Sequence, residues 1–293
     1  MRKHLHTVLE YFAYFSYAPS FQELYLFFPK KIGRKNLQSL LDKEIKQKKI
    51  LRLLNLNRFR LSRQSLYRIN YEYESPRYTL PQYSIFGQNK SKSQIQIKGK
   101  ILTTTIQAYI FFLKICPTIL FVAITGRSAM KGLQKNDDLD LFFITSKNTL
   151  WTTRFFSVLL AKILGIHTTT GVCLNLLFDE SDIRIPQHKQ NSYIAHEILQ
   201  MKPIIDKANI YQKFLTKNRW IYKYFPNAKS QNQNQIETIR TSQSVYKNID
   251  RIFKSIQLPI IIRNNTALSI SHTQLWLFKK DFEKKLKRRG LVI

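Results

Sequence analysis

The chain has 293 residues, with 48 Lys+Arg against 18 Asp+Glu and a formal net charge of +30. Its 44% hydrophobic content is ample for buried cores and predicts a folded globular protein, and its length is a prior for about two domains. Two cysteines, Cys116 and Cys173, exclude a disulfide framework, and neither sits in a CxxC or Cys/His cluster of metal-ligand spacing; a reducing, cytoplasmic setting is expected.

The cations crowd into the two ends of the chain and the middle is nearly neutral. Basic flanks favour a polyanionic partner, nucleic acid first, through phosphate contacts and counterion release. A Lys/Asn/Ile-rich composition set by codon usage would give the same charge.

Residues 1–19, MRKHLHTVLEYFAYFSYAP, begin basic and turn apolar, but Leu and Phe recur at helical spacing and no small-residue cleavage site follows. A domain helix is predicted there. Ser20 and Glu23 form a capping box that starts a second helix, running to about Phe28 before Pro29. After a turn at Gly33, the spacing of Leu37, Leu40, Leu41 and Ile45 predicts a third helix over 35–47. ILRLL and RFRLS then read as two strands around Asn55-Leu56-Asn57. This order resembles a winged helix over residues 1–65, in pattern only. By that resemblance Arg34, Lys35, Lys43, Lys46, Lys48, Lys49, Arg52, Arg58 and Arg60 would contact nucleic acid; a protein-contact module with a solvated basic face is the alternative. Residues 66–98 are polar and aperiodic and read as a linker.

Ile106 to Ile124 is long enough to span a bilayer, but Lys114 and Pro117 interrupt it. A helix ending near Cys116 and a buried strand over Ile119 to Thr125 are predicted instead, and no membrane partner is expected. Gly126 ends that strand, a short helix covers about 129–134, and Asp138 to Thr145 reads as the next strand. Residues two apart in a strand share a face, so Asp138 and Asp140 point the same way. Two carboxylates side by side repel, and a divalent cation relieves the repulsion; hard oxygen ligands at this spacing suit Mg²⁺ with phosphate oxygens and water completing its shell. Asn-Asp-Asp is also good turn chemistry by itself.

The string VAITGRSAMKGLQKNDDLDLFFIT resembles the polymerase-β-like nucleotidyltransferase superfamily. It is closer still to a bacterial group of nucleotidyltransferases with the motif TGS-x-AM followed by DDIDLLIIT. LWTTRFFSVLLAKILG as a helix, GVCLNLLF as a strand and YIAHEILQMKPII as a helix continue the likeness over roughly residues 100–210. The resemblance implies an α+β nucleotidyltransferase core, a short mixed sheet with helices, over residues 99–205, flanked by the winged-helix-like module and a mainly helical, basic C-terminal region over 206–293. It implies that Asp138 and Asp140 ligate two Mg²⁺ ions, that Gly126, Arg127 and Ser128 bracket a nucleoside triphosphate, and that an acceptor hydroxyl attacks the α-phosphorus and releases pyrophosphate.

Two departures leave a second reading open. Arg127 stands where the small hydroxyl residue is usual, and the third carboxylate expected on the following strand is replaced by Asn175, which would share a face with Cys173 and Leu177. Asn175 or Asp179 would supply the third ligand, with Glu180 and Asp182 just beyond. A catalytically degenerate nucleotide-binding or DNA-binding regulatory protein on the same fold is the alternative. His196 and Glu197 read equally as a helix-surface or core-edge pair and as substrate contacts, while Arg154 and Lys162 read as solvated helix positions.

Overall fold

The structure, a computed structural model, describes residues 1–53, 77–79, 95–131, 138–167, 171–207, 209–230, 246–264, 267–278 and 282–291. Among them are eleven α-helices, a two-stranded ribbon and a six-stranded mixed sheet, an α+β arrangement as the sequence predicts. They divide into two compact units, Met1–Lys90 with Tyr222–Gln231, and Ser91–Ile221 with Asn232–Ile293.

In the first unit α1 (Arg2–Tyr14), α2 (Phe21–Leu26) and α3 (Arg34–Lys46) bury Leu5, Leu9, Phe12, Leu24, Leu37 and Leu41 on their apolar faces. The predicted capping box is formed: the Glu23 amide donates to Ser20 Oγ, and the Ser20 amide donates to Glu23 Oε2. β1 (Leu51–Leu53) pairs antiparallel with β2 (Arg77–Thr79), with Leu51 opposite Thr79. The partner of ILRLL is therefore 77–79; RFRLS, with Arg58 and Arg60, lies outside the described residues. Asn227 ties a late segment into this unit, its Oδ1 accepting from the Ile32 amide at 3.1 Å and its Nδ2 donating to the Lys30 carbonyl at 3.0 Å.

The second unit opens with α4 (Ile95–Ile115), β3 (Ile119–Ile124) and α5 (Gly126–Lys131). It continues with β4 (Leu139–Thr145), α6 (Leu150–Ile163), β5 (Val172–Asp179), α7 (Ser192–Gln200) and β6 (Lys202–Asp206). Then follow α8 (Ile210–Lys217), α9 (Ile221–Tyr224), which runs into the first unit, α10 (Tyr246–Asn264), β7 (Ala267–Ile270), β8 (Gln274–Phe278) and α11 (Phe282–Arg288). The sheet order is β6-β3-β4-β5-β8-β7, and only the β4–β5 pair is parallel. That pair needs a crossover, which α6 supplies.

Two features differ from the sequence expectations. YIAHEILQMKPII is not one helix: it ends at Gln200 and becomes β6, because Pro203 cannot continue a helix but is tolerated on an edge strand. The 206–293 region is not a separate helical domain. Its β7–β8 hairpin joins the sheet through β5, so the core unit runs to the last residues of the chain.

The central strands are buried on both faces, which is why they read as apolar runs and not as alternations. On one face Val122, Leu141, Phe143, Leu177 and Leu275 pack under Tyr109 and Leu113 of α4, Trp151 and Ala161 of α6, and Ile261 of α10. On the other, Phe142 contacts Phe121, Phe178 and Phe214 at ring-centroid distances of 5.8, 5.0 and 5.3 Å. Between α4 and β3 the chain breaks at Pro117 as predicted, and among the described residues no helix is long and apolar enough to cross a membrane.

Candidate functional site

β3 runs into Gly126, whose φ of +62° favours glycine. Space imposes the same choice, since a Cβ there would lie 2.7 Å from Asp140 Oδ2. The close approach is set by pairing: Ile124 lies opposite Leu141, and the Thr125 amide donates to the Asp140 carbonyl at 2.9 Å. The carboxylate of Asp140 is thus pressed against the turn that ends β3. Asp138 stands one residue before β4, half-buried, and its carbonyl accepts from Ser128 Oγ at 2.8 Å.

That bond changes the expected role of Ser128. Its side chain is buried, 2% exposed, and its hydroxyl ties α5 to the start of β4, so it does not offer itself to a phosphate. Arg127 is exposed on the same turn. The Gly126 amide also has a partner within the protein, donating to Glu197 Oε2 at 3.1 Å across 71 residues of chain. Asp137 lies outside the described residues.

Asn175 reaches the site by a device that simple alternation misses. In the β4–β5 register Leu141 is opposite Leu174 and Phe142 is opposite Leu176, so Asn175 is skipped as a bulge. Leu174 and Leu177 consequently both enter the α4/α6/α10 core, and Asn175 does not share a face with Leu177 as strict period two predicts. Its Nδ2 donates instead to Asp140 Oδ1 at 2.5 Å.

Asp179 does not belong to this site. Asp140 is level with Cys173, whereas Asp179 is level with Thr145 at the other end of β5; the five steps along β4 from Asp140 to Thr145 separate the two levels by about 17 Å. Both its oxygens are engaged there: Oδ1 accepts from the Ser181 amide at 2.9 Å and from Ser181 Oγ, and Oδ2 accepts from the Asn148 amide at 2.7 Å. Glu180 accepts from the Lys147 amide and Asp182 from Thr273 Oγ1. These acids close turns, and none is the third ligand.

The acid that does approach Asp140 is Glu197 of α7. Burial, above all, pushes its carboxyl up to about 7; the Asp140 charge adds to the rise, while the Gly126 amide and the Gln200 carboxamide oppose it. His196, its neighbour, turns into the interior at 3% exposure, and burial lowers its pKa to about 3, so it is a neutral core residue. Sequence spacing placed both on a helix; only the tertiary fold distinguishes them. Arg154 is largely buried on α6, on the opposite side of the sheet, where Nη1 donates to Gln257 Oε1 at 2.6 Å. Lys162 is exposed, as expected of a solvated helix position.

Asp140, Glu197 and Asn175 therefore meet beside the Gly126 turn from β4, α7 and β5, and Asp138 is tied to the same turn through its backbone carbonyl. Among the described residues no group of three or more His, Cys, Asp or Glu side chains comes together at metal-holding distance. The donors at hand are two carboxylates at strand spacing, which fits a hard cation that takes one or two protein carboxylates and fills its shell with phosphate oxygens and water. They do not provide a third acid for a second ion. No protein-family model matches the chain, and comparisons with curated proteins and with solved structures find no match.

Proposed function

We propose that the Gly126 turn is a magnesium–nucleotide site and that the protein transfers a nucleoside monophosphate from a nucleoside triphosphate to an acceptor hydroxyl. The observation that carries the reading is the pressing of Asp140 against a positive-φ glycine at the end of a buried strand, with Asp138 two residues before it. Asp138 and Asp140 would hold Mg²⁺, which when bound supplies positive charge to the phosphates and to the attacking and leaving oxygens. Asn175 steadies Asp140, Glu197 fixes the Gly126 amide, and Arg127 is the exposed cation on the turn nearest to where phosphates would lie. In the reaction the acceptor oxygen forms a bond to the α-phosphorus, the bond to the bridging oxygen breaks, and pyrophosphate leaves. The chain's charge of +30 favours RNA as the acceptor, with a protein or small-molecule hydroxyl as the other classes.

A second reading has its own observation. An amide, not a carboxylate, meets Asp140 from β5, and no third acid completes a metal group among the described residues; this favours a protein that binds a nucleotide without turning it over. Incubation of the full chain with each α-labelled nucleoside triphosphate, Mg²⁺ or Mn²⁺ and total RNA separates the two. Label entering RNA or a small acceptor, and absent with Asp138→Asn/Asp140→Asn, supports transfer. Metal-dependent nucleotide binding without transfer supports the second reading, and the absence of both removes the site.

A further inference from the structure

The larger unit carries an apolar surface on the side of the sheet away from Asp140. Among the described residues twelve large hydrophobic side chains are exposed, and all but Met1 stand on α4, α6 and α10. These helices lie side by side. The Tyr109 hydroxyl of α4 donates to the Ser157 carbonyl of α6 at 3.3 Å, and Phe155 of α6 stacks on Phe253 of α10 at 4.4 Å. Their inner faces supply the core described above, so the outer stripes are additional to what the fold needs.

On α10 the outer stripe is Ile249, Ile252, Ile256 and Ile260, each between 42% and 59% exposed and spaced at helical intervals. On α6 it is Phe156, Leu159 and Ile163, the last 72% exposed. On α4 it is Phe111, Phe112 and Ile115. Exposed apolar stripes on three neighbouring helices mark a contact surface, because ordinary monomers keep such patches small.

Charge identifies the contact. The three helices contain a single acidic residue, Asp250, and its Oδ1 is turned inward to accept from the Thr152 amide at 2.7 Å and from Thr152 Oγ1 at 2.9 Å. The exposed ionised side chains among their described residues are Lys114, Lys162, Lys247, Arg251 and Arg263, all cationic. We propose that this face docks on the surface of an anionic lipid bilayer. Ile, Leu and Phe enter the boundary between headgroups and acyl chains, while the Lys and Arg stems lie along the apolar surface and carry their charges to the phosphates. A second copy of the chain fits less well, because two such faces would set cation against cation. The sequence expectation of no membrane partner rested on the lack of a spanning segment; lying on a bilayer requires only a face.

The test is flotation of the full chain with phosphatidylcholine vesicles, with and without phosphatidylglycerol, for wild type and for Ile252→Gln/Ile256→Gln. These substitutions are exposed, keep the charge and suit a helix, and thermal melting checks that the fold is kept. The expected result is flotation with the anionic vesicles only, weakened at least about tenfold in the double variant. Flotation that is indifferent to the substitutions would reflect net charge alone and overturn the proposal. So would failure to float with either vesicle, including the case where sedimentation shows a dimer that the substitutions dissociate, or where the same face binds an acidic peptide.

Discussion

The two ends of β5 both carry polar groups beside a turn, and they differ in how those groups are satisfied. At the far end Asp179, Glu180 and Asp182 each accept from backbone amides or hydroxyls within reach, although burial still raises the Glu180 carboxyl above its ordinary value. At the near end Asp140 and Glu197 crowd one glycine, and Glu197 receives too little stabilisation to keep an ordinary carboxylate pKa. The first arrangement is complete as a piece of structure, and the second becomes more favourable when a cation arrives. Proximity to a turn is therefore a poor guide to function, and the balance of donors against acceptors is a better one.

Substitutions at the two ends turn this contrast into numbers. Asp140→Asn keeps the shape beside Gly126 but removes the charge, and is expected to lower nucleotide transfer by at least about 100-fold while the melting temperature stays near that of the wild type. Asp179→Ala should do the reverse. It leaves the Asn148 and Ser181 amides without their acceptor and is expected to cost roughly 2–4 kcal/mol in denaturant unfolding, with nucleotide binding per folded molecule unchanged. Equal effects of both substitutions on binding and stability would erase the distinction. Gly126→Ala joins the two kinds of effect, since its Cβ meets Asp140 Oδ2 and its φ is positive; a cost of about 1–3 kcal/mol is expected, together with weaker metal binding seen by calorimetry.

Much of the larger unit was legible because its signals are local. The apolar runs of β3, β4 and β5 and the helical period of α6 each lie within one window of sequence, and Pro117 separates α4 from β3 without tertiary help. What was not legible depends on distant partners. Asn175 is aimed by a bulge in its pairing with β4, and a bulge has no composition signal in LNLL. Ser128 looked like a phosphate ligand until its hydroxyl found the Asp138 carbonyl. Glu197 was equivocal on its helix because the group that defines it, the Gly126 amide, is 71 residues away. β7 and β8 were absorbed into a basic, helix-rich stretch, since strands of four and five residues present too short a pattern to stand out from it.

Glu44, in the other unit, supplies a third way to satisfy a buried acid and the smallest of the expected effects. It is 1% exposed on α3, and its Oε2 is bonded to Arg2 Nε and His6 Nε2, each at 3.0 Å. Burial alone pushes the carboxyl up, but the His6 hydrogen bond and the Arg2 charge outweigh it and hold the pKa below its ordinary value. A carboxyl lowered in this way binds its proton more weakly in the folded state than in the unfolded one. Its contribution is therefore complete above the ordinary carboxylate range and is lost as pH falls through the folded value. Melting curves of wild type and Glu44→Gln across the acidic range should converge as pH falls, with the wild type the more stable near neutrality. A gap that instead widens on acidification would mean that Glu44 behaves like Glu197, as an acid raised by burial, and that Arg2 and His6 do not compensate for its desolvation.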